Sequence, residues 1–252
     1  MPRERQLERS ARALRVLDAL ERAMPEAHIE LDYRTPFELL VAVILAAQCT
    51  DKRVNLVTPA LFSRFPDAAA MAQAPTPALE ALVKSCGFFR AKSRALQAVS
   101  SALLGDYRGE VPKDRALLAA LPGVGNKTAG VVSIHIGGEP AFPVDTHVRR
   151  LSRRLGFTRA LEPDRIELDL QALLPPERWA KGHQLLVWHG RRTCFARKPA
   201  CDRCVVAADC PKVGVPKARP VGPRPKRLPK RVKAKPPARA RARTLRPAGR
   251  KA

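Results

Sequence analysis

Acidic residues are scarce in this chain. Asp and Glu total 23 against 47 Lys and Arg in 252 residues, a formal charge of +24. That imbalance excludes an ordinary neutral metabolic enzyme as the default. It points to a polyanionic partner, nucleic acid ahead of an acidic membrane surface. Long apolar runs are missing too. The longest, Leu39 to Ala47, has nine residues, against the roughly 18 or more of a membrane span, so it suits a buried core helix. Residues 1–21 mix Arg with Glu4, Glu8, Asp18 and Glu21 and lack an apolar h-region, which argues against a secretory or transit leader. No sustained apolar/polar alternation demands a sheet, and no internal repeat is present. Cysteine is sparse except in one place: four of the six lie within Cys194–Cys210. A secreted disulfide scaffold would spread them, so the pattern indicates a reducing compartment and a metal site.

What is present falls into a body and a tail. Residues 217–252 hold 15 Lys or Arg, seven Pro and no acidic residue, so they supply +15 of the charge and leave +9 on residues 1–216. Such a composition buries too little apolar surface to offset its ordering entropy, and the tail is expected to be disordered. The body stays basic without it.

The body reads as helix after helix, an all-α fold. Thr35-Pro36-Phe37-Glu38 is a start signal: a capping Thr, Pro at the first helical position, and Glu closing a capping box. Thr76-Pro77 opens another helix, which Gly87 can end. Leu7, Ala11, Leu14, Leu17, Leu20 and Met24 recur every three or four residues and predict an amphipathic N-terminal helix. Pro59 is expected to kink or split the helix that follows Asp51.

The most informative stretch is Leu121-Pro122-Gly123-Val124-Gly125-Asn126-Lys127-Thr128-Ala129, flanked by apolar helical segments. Gly123 and Gly125 permit a tight turn and leave backbone N–H groups bare at the positive end of the next helix. This helix-hairpin-helix pattern suits a DNA phosphate and reads no base sequence, although a connector with no ligand fits the same letters. Lys127 falls in the first turn of that helix, where the dipole opposes a cation; nearby apolar residues would add desolvation. Both effects favour an uncharged, nucleophilic amine. A phosphate contact is the competing reading.

Asp145, in Val144-Asp145-Thr146-His147-Val148-Arg149-Arg150, precedes an apolar, basic helix. It can serve as an N-cap, as a carboxylate facing a reacting sugar, or as both. His147, Arg149 and Arg150 can contact phosphates from the same helix start, and His147 can equally be packed. Cys194-x6-Cys201-x2-Cys204-x5-Cys210 is a strong four-thiolate signal. Its spacing does not choose between zinc and an iron–sulfur cluster. Arg197 and Lys198, between the first two Cys, can reach a DNA backbone. Cys49 and Cys86 stand apart in apolar helical contexts and read as buried small side chains.

These three motifs, in this order, resemble the endonuclease III family of DNA base-excision repair enzymes, within the helix-hairpin-helix glycosylase superfamily. Arg191, Thr193, Cys194, Ala196, Arg197, Lys198 and Pro199 match the family's approach to its cluster, and Gln48 with Thr50-Asp51 matches a further segment. The resemblance implies a two-lobed fold: a six-helix barrel over residues 29–139, and a second lobe of residues 1–28 and 140–216 carrying a [4Fe–4S] cluster held by Cys194, Cys201, Cys204 and Cys210. It implies Lys127 as nucleophile and Asp145 as the essential carboxylate. Gln48 and Phe88 fall where the family fills the gap left by an extruded nucleotide. Two departures stand out. The family usually has an aliphatic residue near Phe88, and Ala119 replaces an acidic residue of many members.

The implied activity is that of a bifunctional glycosylase and abasic-site lyase. It removes oxidised pyrimidines from duplex DNA and cleaves 3′ to the abasic site by β-elimination through a Lys Schiff base. A monomer acting on DNA in the cytoplasm, at the nucleoid if bacterial, is expected. Three rivals exist. An adenine mismatch glycosylase carries Glu near Ala42, lacks the Lys and has an extra folded domain. A monofunctional thymine or uracil mismatch glycosylase differs only in pocket detail. A non-catalytic Fe–S nucleic-acid-binding module is disfavoured by the joint presence of Lys127 and Asp145.

Overall fold

The computed structural model describes residues 5–215; the basic segment 217–252, expected to be disordered, lies outside them. Helix is the only regular secondary structure among the described residues. The principal helices are α1 (Gln6–Ala23), α2 (Pro36–Ala46), α3 (Asp51–Arg64), α4 (Ala68–Ala72), α5 (Thr76–Val83), α6 (Phe89–Tyr107), α7 (Arg115–Ala120), α8 (Asn126–His135), α9 (Thr146–Arg154), α10 (Pro163–Gln171) and α11 (Trp179–Arg192). A single 3-10 turn, Lys84–Cys86, follows α5.

Local signals set several boundaries. Thr35 caps α2 by accepting the Glu38 N–H at 3.1 Å, with Pro36 opening the helix. The Glu38 carboxylate reaches one residue beyond that cap, taking the Arg34 N–H and guanidinium at 2.7 Å each. Gly87 turns the chain after the 3-10 segment with φ of 71°, a conformation that costs a side-chain-bearing residue about 1–2 kcal/mol.

Two sequence expectations require correction. Pro59 lies inside an unbroken α3. Its side is exposed, so the carbonyl that loses its partner can turn to water. Val54 and Leu61 on the far side, and Phe62 one turn on, are buried. Each is worth roughly 1.5–3 kcal/mol, more in sum than the ~3 kcal/mol cost of an interior proline. In α1 the buried stripe is Ala13, Val16, Leu17 and Leu20, whereas Leu7 is 85% exposed. The helix's first two turns extend past the surface that its later turns pack on.

Two separate clusters of buried side chains form the interior. One runs from Leu31 to Val132 and takes in α2 to α8. The other gathers Ala13, Val16, Leu17 and Leu20 from α1 with Phe142 to Val206. The chain therefore begins in the second cluster, builds the first, and returns. Polar clasps join the two sides. Arg115 of α7 forks onto Glu167 of α10 at 2.6 and 2.7 Å, and Glu167 also accepts the Phe142 N–H at 3.2 Å. Gln184 of α11 donates to His135 of α8 at 2.9 Å, while Lys181 of α11 ties the Pro25 and Ala27 carbonyls, at 2.8 and 3.1 Å, within the second side.

Candidate functional site

The turn between α7 and α8 is anchored by Leu121 and Val124, both buried in the first cluster. Its two glycines play different parts. Gly123 has φ of 76°, and a Cβ there would sit 3.1 Å from the Ala95 Cβ, so conformation and space both require glycine. Gly125 has an ordinary φ of −89° as the N-cap of α8, and a Cβ there would meet nothing within 4 Å. What glycine provides at 125 is the absence of a capping side chain. The N–H groups of the first turn of α8 stay bare and face open space, the arrangement that accepts an anion. By contrast Asp114 caps α7, accepting the Leu117 N–H at 2.9 Å.

Lys127 stands in that bare first turn and is exposed. The desolvation expected from neighbouring apolar residues is therefore not supplied by the protein alone. Asp145 is the N-cap of α9, accepting the Val148 N–H at 2.7 Å. Lys127 and Asp145 line one pocket, together with Thr128, His183, Glu30 and Asp51. A residue from each cluster's helix starts thus opens on the same space.

Two elements of this pocket carry no signal in the sequence pattern. His183 is fully enclosed, with Nδ1 2.8 Å from the Pro143 carbonyl, which makes that nitrogen the donor. Burial pushes its pKa down to about 4, against the opposing pull of Asp145, so the ring stays neutral at neutral pH. The rim is an ion network. Arg191 pairs with Asp51 at 2.7 Å and with Glu30, and Arg192 reaches Glu30 at 2.9 Å while lying over the Trp188 ring. Arg191 and Asp51 appear in the sequence resemblance; Glu30 and His183 do not, because neither sits in a recognisable motif.

The remaining candidates fall in three places. Gln48 and Phe88 are exposed, Phe88 at 67%, and both adopt left-handed backbone, φ 55° and 47°. Side chains rarely accept that strain except where position matters. Arg149 is exposed on α9, and Arg197 and Lys198 are exposed in the loop after Cys194. His147 is a helix-contact residue: its Nδ1 lies 3.1 Å from Arg150, and a Cβ on Gly190 of α11 would come within 2.8 Å of it.

Cys194, Cys201, Cys204 and Cys210 are free thiols lining one pocket with Leu151, Leu155 and Val206. A single zinc would draw four sulfurs to about 3.8 Å from one another, from a Zn–S bond of about 2.3 Å. Among the described residues no such tight group of ligands occurs. The four thiols line one largely apolar pocket, and a set of four thiolates fits a multi-iron cluster. Burial pushes the Cys204 and Cys210 thiols up, so their thiolates need the positive charge that iron supplies. Arg154, itself buried, hydrogen-bonds the Cys194 sulfur at 3.3 Å and the carbonyls of Phe195 and Ala196 at 2.7 and 2.6 Å. It thereby holds the loop that carries Arg197 and Lys198.

Two expected outcomes follow from this geometry. Gly123→Ala should lower stability by about 1–2 kcal/mol through its left-handed backbone, read as a shifted urea midpoint. Gly125→Val should leave that midpoint nearly unchanged while weakening binding to a plain duplex. His183, whose pKa is lowered to about 4, contributes stability that is complete above about pH 6.5 and is lost as pH falls toward 4, because there the unfolded chain binds the proton first. Urea titrations across that window should show the decline, and His183→Gln should reduce it, the remainder coming from His189, which burial also lowers to about 4.

Comparison with known proteins identifies the family. Residues 41–176 match the HhH-GPD superfamily of base excision DNA repair proteins, and residues 194–210 match the iron–sulfur binding domain of endonuclease III. The chain is 49% identical over 201 residues to endonuclease III of Synechocystis sp., covering 79% of this chain and 92% of that protein. It is 42% identical over 198 residues to endonuclease III of Bacillus subtilis (strain 168), covering 77% and 89%. A solved structure of a trapped endonuclease III–DNA covalent intermediate superposes with a TM-score of 0.77 at 41% identity, covering 81% of this chain and 96% of that one. The chain belongs to the endonuclease III family, base-excision repair enzymes with DNA glycosylase and abasic-site lyase activity and a [4Fe–4S] cluster.

Proposed function

We propose that this glycosylase/lyase removes oxidised pyrimidines from duplex DNA as a monomer, with Lys127 as nucleophile and Asp145 as the carboxylate that accompanies it. The observation that carries this reading is that both residues of one chain line one pocket. A lesion inside a duplex is out of reach, so the nucleotide is extruded, and weakly stacked oxidised pyrimidines cost least to extrude. Gly123, Gly125, Arg149, Arg197 and Lys198 hold phosphates, while Gln48 and Phe88 fill the vacated stack. His147 serves the α9–α11 contact and reaches DNA only at its exposed edge. The two clusters of buried side chains correspond to a barrel of residues 29–139 and a lobe of residues 1–28 and 140–216. Cys194, Cys201, Cys204 and Cys210 hold the cluster, which fixes the loop bearing Arg197 and Lys198 and takes no part in the chemistry.

DNA docked over the pocket supplies the desolvation that the free protein withholds from Lys127, and the α8 dipole already opposes its charge. The uncharged amine attacks the anomeric carbon. The bond from that carbon to the base breaks, and the base leaves with the electron pair and takes up a proton. Asp145 stabilises the positive charge developing on the sugar. Ring opening gives the Schiff base, which acidifies the adjacent C2′. Loss of the C2′ proton expels the 3′ phosphate, and hydrolysis of the imine frees the lysine. The adenine-mismatch alternative loses ground because Ala42 is fully buried and offers no acid to the pocket.

Borohydride should trap a covalent complex with DNA carrying thymine glycol, dihydrouracil or an abasic site, but not with uracil or adenine-mismatch duplexes. Lys127→Ala should abolish trapping and strand cleavage. Trapping that survives the substitution, or activity confined to the mismatches, would reject the assignment.

A further inference from the structure

Lys92 is a charged residue that the chemistry above does not use. It sits on α6 in the first cluster, only 5% exposed. Its Nζ donates to the carbonyl of Leu45 at 2.9 Å and to that of Cys86 at 2.8 Å. Among the described residues no carboxylate pairs with it. Burial pushes its ammonium below the ordinary lysine value, with Cys49 and Cys86 opposing. Burying such a group without a counter-ion costs several kcal/mol unless its hydrogen bonds are met, so the two carbonyls must be its purpose or its compensation.

Their location decides between those. Leu45 lies in the last turn of α2, and the Cys49 N–H four residues on bonds Ala46 instead, at 3.0 Å. Its carbonyl is thus one of the unpaired acceptors of a helix end. Cys86 closes the 3-10 turn after α5. Both are helix C-termini, where a cation is favoured. Three residues beyond Leu45 stands Gln48, and two beyond Cys86 stands Phe88. Both are exposed and held in left-handed backbone, which among the described residues only Arg108 and Lys212 share outside glycine. One buried ammonium therefore ties together the roots of both segments. The tie closes locally on the α6 side as well, since the Lys92 N–H bonds the Phe88 carbonyl at 3.0 Å.

We infer that Lys92 is a positioning residue for nucleotide extrusion: by bridging the Leu45 and Cys86 carbonyls it fixes Gln48 and Phe88 as one preformed wedge. This inference rests on the reading of Gln48 and Phe88 as the pair that fills the vacated stack. A preformed wedge lowers the cost of holding the duplex open, because two strained residues need not be ordered when DNA arrives. Its action is confined to substrates in which a gap must be filled. A single-stranded abasic site has no such gap.

The test measures single-turnover cleavage by the cluster-loaded full chain of an abasic site in a duplex and in a single strand, for Lys92→Met and for Lys92→Gln. Gln keeps the site occupied by a polar group should Met fail to fold. Lys92→Met should slow duplex cleavage by about tenfold or more, as misplacement of a positioned group does, with the single-strand rate unchanged. The fluorescence of 2-aminopurine opposite the abasic site should fall in step, since that base is no longer displaced. In a Gln48→Ala/Phe88→Ala background Lys92→Met should add no further duplex loss. Equal slowing of both substrates, no slowing of either, or an undiminished added loss in that background would overturn the inference. If Gln48→Ala/Phe88→Ala itself leaves the duplex-to-single-strand ratio unaltered, the reading of that pair fails and the inference falls with it.

Discussion

Everything in the site depends on two helix starts facing the same space. The start of α8 comes from the first cluster of buried side chains and the start of α9 from the second. Each end carries a partial positive charge, and the two ends answer it differently. At α8 a glycine cap leaves the N–H groups bare, so the positive end is available to a phosphate. At α9 the Asp145 carboxylate occupies it, bonded to the Val148 N–H. Lys127 is a cation set against that same field. The proposed nucleophile role asks that amine to act uncharged, and in the free protein it is exposed.

The carboxylate's helix is also the helix that reaches the metal centre. Arg150 and Arg154 follow Asp145 along α9 and bond the Cys194 carbonyl and sulfur and the loop beyond. A helix of nine residues spans about 13 Å, so Asp145 and the cysteine site lie at opposite ends of one short rod. Gly190 allows this, since a Cβ there would fall within 3.0 Å of His147 and Arg150. The basic loop gains its shape from the same contacts. The cysteine site and the basic loop are thus parts of one hydrogen-bonded unit.

Much of this was legible in the letters because the decisive groups sit in short, local patterns. The glycine turn with Lys127, the cap at Asp145 and the four cysteines each lie within a few residues of their partners. What was not legible arises between distant segments. His183 meets Pro143 across 40 residues, Lys92 meets Leu45 across 47, and Glu30 meets Arg191 across 161. No periodicity marks such pairs. At Pro59 the helix is not split, and the buried Val54, Leu61 and Phe62 hold both halves of α3 on the same cluster. The exposure of Lys127 differs from expectation for a related reason: Ala129 and Val132 turn into the cluster below, and Val131 alone of that run lines the pocket beside the amine.

The nucleophile can be identified without any substitution. The complex reduced with borohydride on abasic DNA is digested with nuclease and protease, and the sugar-bearing peptide is located by mass. The adduct is expected on the Lys127 side chain, in the peptide spanning the start of α8. An adduct on another lysine or on the amino terminus would contradict the assignment of this pocket as the reacting centre.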